Sequence, residues 1–177
     1  MTLIACTADY AAMLGKLVPA EKGLGGNADW GCHVVRRHRG NLVVVMHERT
    51  RMGWFVPPLR KAEFAHMPDL LRELVRDTAT ALGLPENSIQ SWLNLELPAE
   101  VAYACGINRS IQSHIRQAVA CYDWSDEAHH LPHSIPAWQR LSFIHLQETP
   151  RTQLVGGRRQ YFYPLDAFRS EVMKFLD

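Results

Sequence analysis

His47, Glu48, Arg49 and Thr50 follow directly on an apolar run at 42–46 (LVVVM), and their side chains are those of acid–base and anion chemistry. A histidine near its unperturbed pKa of about 6.5 takes a proton from a ribose hydroxyl, and an arginine on the same strand face steadies the phosphate. That is the arrangement of a metal-independent ribonuclease, with His47, Glu48 and Arg49 as catalytic candidates and Arg109 as a second phosphate contact. Side chains alternate along a strand, so His47 and Glu48 point to opposite faces and serve one site only if the strand bulges. The same residues also suit a purely structural corner, in which Glu48 and Arg49 pair and fix a hairpin.

A second group is Asn108-Arg109-Ser110. At a helix start these residues combine unpaired backbone N–H groups, the positive end of a dipole and a guanidinium, the parts of an anion site. An ordinary N-cap uses the same residues. Arg36, Arg37 and Arg39 cluster with His38 at a hairpin tip, and Arg158 and Arg159 precede Tyr161, Phe162 and Tyr163. Basic residues beside aromatic rings suit phosphates and unstacked bases, although such residues also form solvated surfaces. The leading expectation is a protein that binds a phosphate-bearing ligand or nucleic acid through Arg36, Arg37, Arg39, Arg49, Asn108, Arg109 and Ser110. The alternatives are the ribonuclease-like enzyme and a protein-interaction module, such as a toxin, antitoxin or inhibitor, that exposes some of Trp54, Trp92, Trp124 or Trp138.

No metal or cofactor is expected. Asp126, Glu127, His129, His130 and His133 have the donor types for zinc, but Pro132 breaks the helix that would align His129 with His133. The segment 22–27 (KGLGGN) is too loosely spaced for a dinucleotide fingerprint. Neither a P-loop, a serine elbow nor a paired catalytic carboxylate is visible. Cys32 opposite His47 would imitate a thiol and base, yet in a sheet interior a cysteine is usually packing.

These residues must be positioned by one core. A chain of 177 residues with 47% hydrophobic and 21% charged residues is that of an ordinary globular α+β domain. With 19 basic against 18 acidic residues the formal charge is +1, so no global field gathers nucleic acid or anionic membrane. The four cysteines include no C-x-x-C pair, the N-terminus lacks signal-peptide character and no apolar run would span a bilayer. A cytoplasmic protein with reduced thiols is expected.

The centre of the fold is predicted at residues 30–56. A two-residue Arg39-Gly40 turn would pair Val34 with Val45 and Cys32 with His47 in an antiparallel ladder. The run 42–46 is apolar without alternation, which predicts a central strand covered on both faces. A third strand follows at 52–56 and stops at Pro57-Pro58. Helices are predicted near 68–82, 109–122, 136–146 and 164–176, with a shorter one opened by Thr7. Residues 3–6 read as an edge strand, 96–104 as a returning strand and 151–159 as a basic, turn-rich segment. The expectation is one α+β domain over 1–177: a mainly antiparallel sheet packed against four to five helices.

The order of several segments resembles an uncharacterised family of small bacterial domains. The residues are Trp30, V-x-R-R at Val34 to Arg37, E-R-T at Glu48 to Thr50, FVPPLRKAEF at Phe55 to Phe64, N-R-S at Asn108 to Ser110, Glu148-Thr149-Pro150, and Y-P-L-D-A-F at Tyr163 to Phe168. Where that family continues N-R-S with a Gly-Ser-Met-Asn step, this chain has IQSHIR at Ile111 to Arg116. The resemblance implies a compact α+β domain of unknown function and no established activity.

Overall fold

The computed structural model describes residues 2–14, 29–36, 41–57, 61–124 and 134–176. Strand β1 (Thr2–Cys6) leads into α1 (Ala8–Leu14), whose first turn is closed by Ala11 N–H on the Thr7 carbonyl at 2.9 Å. Strands β2 (Trp30–Val35), β3 (Leu42–His47) and β4 (Gly53–Val56) form the antiparallel unit expected at 30–56. A 3-10 segment (Lys61–His66) runs into α2 (Met67–Ala81), which has Pro68 in its first turn and ends at Gly83, with φ +71. Helix α3 (Glu86–Glu96), β5 (Val101–Cys105), α4 (Arg109–Asp123) and α5 (Ile135–Ser142) follow, and α5 continues as one π turn, Phe143–Gln147. The hairpin β6 (Arg151–Val155) and β7 (Arg158–Phe162) and the helix α6 (Pro164–Met173) complete the order.

The main sheet has the order β4-β3-β2-β1-β5, with β6 and β7 as a separate pair. Pairings β2–β3, β3–β4 and β6–β7 are antiparallel, while β1 joins β2 and β5 in parallel. Every residue of β3 is buried, as its unbroken apolar run requires. One face carries Ile4, Trp30, Val43, Val45 and Trp54 against Leu71, Leu74, Trp92 and Phe168 of α2, α3 and α6. The other carries Leu42, Val44, Met46 and Phe55 against Ile111, Ile115, Trp138 and Leu141 of α4 and α5. The result is a sheet between two helical layers, an α+β architecture.

Close approach of α4 depends on Gly31, where a Cβ would lie 2.7 Å from Ile111 Cγ2. The edge strand β4 is closed by side chains: Phe55 N–H donates to Ser142 Oγ at 2.8 Å, and Gln147 Nε2 donates to the Gly53 carbonyl at 3.2 Å.

Several expectations are corrected. Val34 pairs with Val43 and Cys32 with Val45, while Trp30 faces His47. The shift is by two residues, which keeps each side chain on its own face and leaves the core intact. Val35 already pairs with Leu42, so the connection spans 36–41 rather than a two-residue turn. β1 is interior, not an edge, because the parallel β5 lies beyond it. Glu96 closes a helix instead of opening a strand, since Ile89, Trp92 and Leu93 are buried at helical spacing. The segment after Pro150 is a hairpin turned by Gly156 and Gly157, with φ +56 and +79.

Candidate functional site at the β3–β4 corner

The end of β3 is closed by His47 N–H on the Met52 carbonyl at 2.8 Å and Arg51 N–H on the His47 carbonyl at 3.0 Å. Arg51 holds the tight connection in the left-handed region, with φ +56, a conformation that strains a residue other than glycine. Alternation then divides the corner between the two layers of the protein.

In the first layer the His47 ring is 1% exposed and lies 4.8 Å from the Trp30 ring and 5.4 Å from that of Trp92. Thr50 N–H donates to Nδ1 at 3.4 Å, the Thr50 hydroxyl lies 2.9 Å from the same atom, and Nε2 faces Glu96 Oε2 at 3.3 Å. Thr50 engages Nδ1, and Nε2–H donates to Glu96. Arg49 pairs with the other oxygen of Glu96 and lies 3.7 Å from Glu171 Oε2 on α6. Burial pushes the Glu96 carboxyl up, but the hydrogen bond and charge of His47, with those of Arg49, outweigh it and hold the group below its ordinary value. Trp30 Nε1 donates to the Glu96 carbonyl at 2.7 Å, fixing the end of α3. A general base needs a lone pair open to substrate. Here both ring nitrogens are engaged and covered, and the network ties the corner to α3 and α6.

In the second layer Glu48 pairs with Arg51 at 3.0 Å and accepts from Asn108 Nδ2 at 3.5 Å. Asn108 Oδ1 also caps α4, accepting from Ser110 N–H at 2.8 Å. Arg109 and Ser110 are exposed at the start of this helix, whose first turn carries no acidic residue. On the buried side of α4 lies His114, and beyond it Arg151, the first residue of β6, only 1% exposed. Arg151 donates to Gln117 Oε1 at 3.0 Å and to the His145 carbonyl at 3.2 Å. No carboxylate among the described residues pairs with it. Burial pushes the Arg151 guanidinium down to about 10. Burial, and then the positive charges of Arg151 and Arg51, lower His114 to about 4, so its imidazole is neutral. Among the described residues, Arg151 Nε and His114 Nδ1 are buried without a hydrogen-bond partner.

Among the described residues, those singled out in the sequence are divided between the two layers. Arg49 turns into the first layer, while Glu48 and Asn108 meet in the second. Arg36 lies just past the far end of β2, about 20 Å along the sheet, and pairs with Asp9 at 3.3 Å. Arg37 and Arg39 lie outside the described residues, as do the 22–27 loop and the histidine-rich 126–133 segment. Among the described residues no group of three or more His, Cys, Asp or Glu could hold a metal. Cys32 faces Val45 rather than His47, and burial pushes its thiol well up. Trp54, Trp92 and Trp138 are core, whereas Trp124 is exposed.

Sequence reasoning missed Glu96, Arg51, His114 and Arg151. For Glu96 a signal existed, since Ile89, Trp92 and Leu93 after Pro85 have helical spacing and carry Glu96 to a helix end. For the other three no local pattern marks burial of a charge or its neighbour.

Fold and corner together define an α+β protein with a sheet between helical layers and charged groups buried at one strand end. The chain belongs to the domain of unknown function family DUF6933, whose model matches residues 3–167. No curated protein and no solved structure matches it. Among the described residues no helix is long and apolar enough to cross a membrane.

Proposed function

We propose that this protein binds a phosphate-bearing ligand in the second layer, where Arg51, His114 and Arg151 lie along the buried side of α4. The observation that carries the reading is the buried Arg151 guanidinium, which has no carboxylate partner among the described residues. A buried, uncompensated charge carries a penalty of several kcal/mol, and natural folds pair it or give it a counter-ion. Glu48 faces Arg51, so among the described residues the cluster is one negative charge short. Arg151 Nε and His114 Nδ1 supply unused hydrogen-bonding atoms, and a phosphate oxyanion matches the planar guanidinium donors. Free thiols at Cys6, Cys32, Cys105 and Cys121 support a reducing, cytoplasmic setting.

The test is thermal and chemical unfolding with inorganic phosphate and nucleoside phosphates. Saturating ligand at about a hundred times Kd adds about 2.7 kcal/mol. Arg151→Met, which keeps the length and apolar stem of the side chain, should abolish that gain while raising the stability of the free protein. Phosphate that leaves both proteins unchanged, or stabilises both equally, refutes the reading.

A further inference from the structure

From the same hairpin that begins at Arg151 we infer a second contact: the β6–β7 ribbon is an arm that lies along single-stranded nucleic acid. Consecutive strand residues face opposite sides, yet Arg158, Arg159, Gln160 and Tyr161 are all exposed. Both faces of the ribbon tip therefore stand in solvent at these residues, and its base is tied down by Arg151 and the half-buried Phe162 opposite it. An isolated two-stranded hairpin is marginal in water, so a ribbon held away from the core is more useful as a contact than as a support.

Its chemistry selects the partner. Residues 151–162 contain three arginines and no Asp or Glu. Arg158 and Arg159 make no ion pair with any described residue, unlike Arg36, Arg49, Arg51 and Arg76, each of which faces a carboxylate. Two unneutralised guanidiniums complement a polyanion. Tyr161, on the same face as Arg159, is 78% exposed. A cation beside an open aromatic ring provides a phosphate contact and a stacking platform, and only unstacked bases offer their faces to such a ring. Gln153 and Gln160 are cross-strand partners on the opposite face, both exposed, and supply amide donors and acceptors. A single strand wrapped over the tip meets Arg159 and Tyr161 on one face and Arg158, Gln153 and Gln160 on the other, whereas duplex DNA would leave Tyr161 without a partner.

This inference rests on the phosphate reading only for the chemistry of its ligand, since the tip residues are not those of the Arg151 site. Fluorescence anisotropy with labelled single-stranded RNA, single-stranded DNA and duplex DNA, over about 50 to 200 mM salt, tests it. Wild type should bind single strands more tightly than duplex. The double variant Arg158→Ala/Arg159→Ala should lower the slope of log K against log salt by about 1.4, at about 0.7 per phosphate contact. Tyr161→Ala should weaken binding about ten-fold with the slope unchanged. Circular dichroism should show all variants folded, since these side chains are exposed.

Stabilisation by free phosphate should persist in the tip variants, which separates the two sites. Oligonucleotide binding that survives the tip variants but is lost in Arg151→Met overturns the arm and leaves the phosphate site standing. Preference for duplex, or no binding of any oligonucleotide, overturns the arm outright.

Discussion

Acidification should destabilise this fold through His114. Its folded-state value lies near 4 against an ordinary 6.5, because burial and the cations Arg151 and Arg51 oppose a charged ring. Between those two values the unfolded chain binds the proton and the folded one does not, so stability rises with pH across that window and is fully present above it. Each ten-fold difference in proton affinity is worth about 1.4 kcal/mol. Integrating the two titrations, His114 removes about 2 kcal/mol at pH 5 and about 3 kcal/mol at pH 4, relative to neutrality. That is a large fraction of the stability of a typical domain. The assay is urea unfolding of the wild type and His114→Gln at each pH. Glutamine does not titrate, so the difference between the two proteins isolates the histidine from the carboxylates that also protonate in acid. The gap should move in favour of the variant by these amounts, and the His114 ring resonances should titrate near pH 4. A gap that stays constant with pH, or a ring midpoint near 6.5, refutes the account of burial and neighbouring charge. Phosphate bound at Arg151 would offset the cations, so saturating phosphate should raise the ring midpoint.

Two further outcomes follow from the packing. Glu96→Gln removes the charge that Arg49 and the His47 N–H both address, and should lower stability by about 1–3 kcal/mol in urea unfolding at neutral pH. The loss should narrow in acid, because the wild-type carboxyl, held below its ordinary value, favours folding only while ionised. Gly31→Ala places a methyl 2.7 Å from Ile111 Cγ2 and should cost about 1–3 kcal/mol. Ile111→Ala should recover part of that loss in a double-mutant cycle, and strict additivity would show that the clash is not with Ile111.

The elements that were legible are those whose pattern is local. An unbroken apolar β3 announces a strand covered twice, the apolar stripes of α2 and α4 announce helices, and Asn108 announces the cap it makes. Helix α3 was readable from Ile89, Trp92 and Leu93, but Pro85 and Pro98 on either side favour an irregular reading. The β2–β3 register was open because a slip of two residues preserves every inward and outward side chain, so apolar pattern alone cannot choose between the alternatives. The interior place of β1 depends on which strand pairs beyond it, a long-range choice without a local signature.

By itself the sequence determined the class of fold, the helices other than α3, the central strand and the splitting of His47 from Glu48 onto opposite faces, because period-two alternation is a property of the backbone. Only the tertiary structure decided which charges meet. It brought Arg49 to Glu96 over a sequence separation of 47, paired Arg36 with Asp9 at the far end of the sheet, and buried Arg151 beside His114 without a carboxylate partner among the described residues. Such encounters depend on how layers stack, since an ionic contact acts over a few ångströms of space and takes no account of separation along the chain.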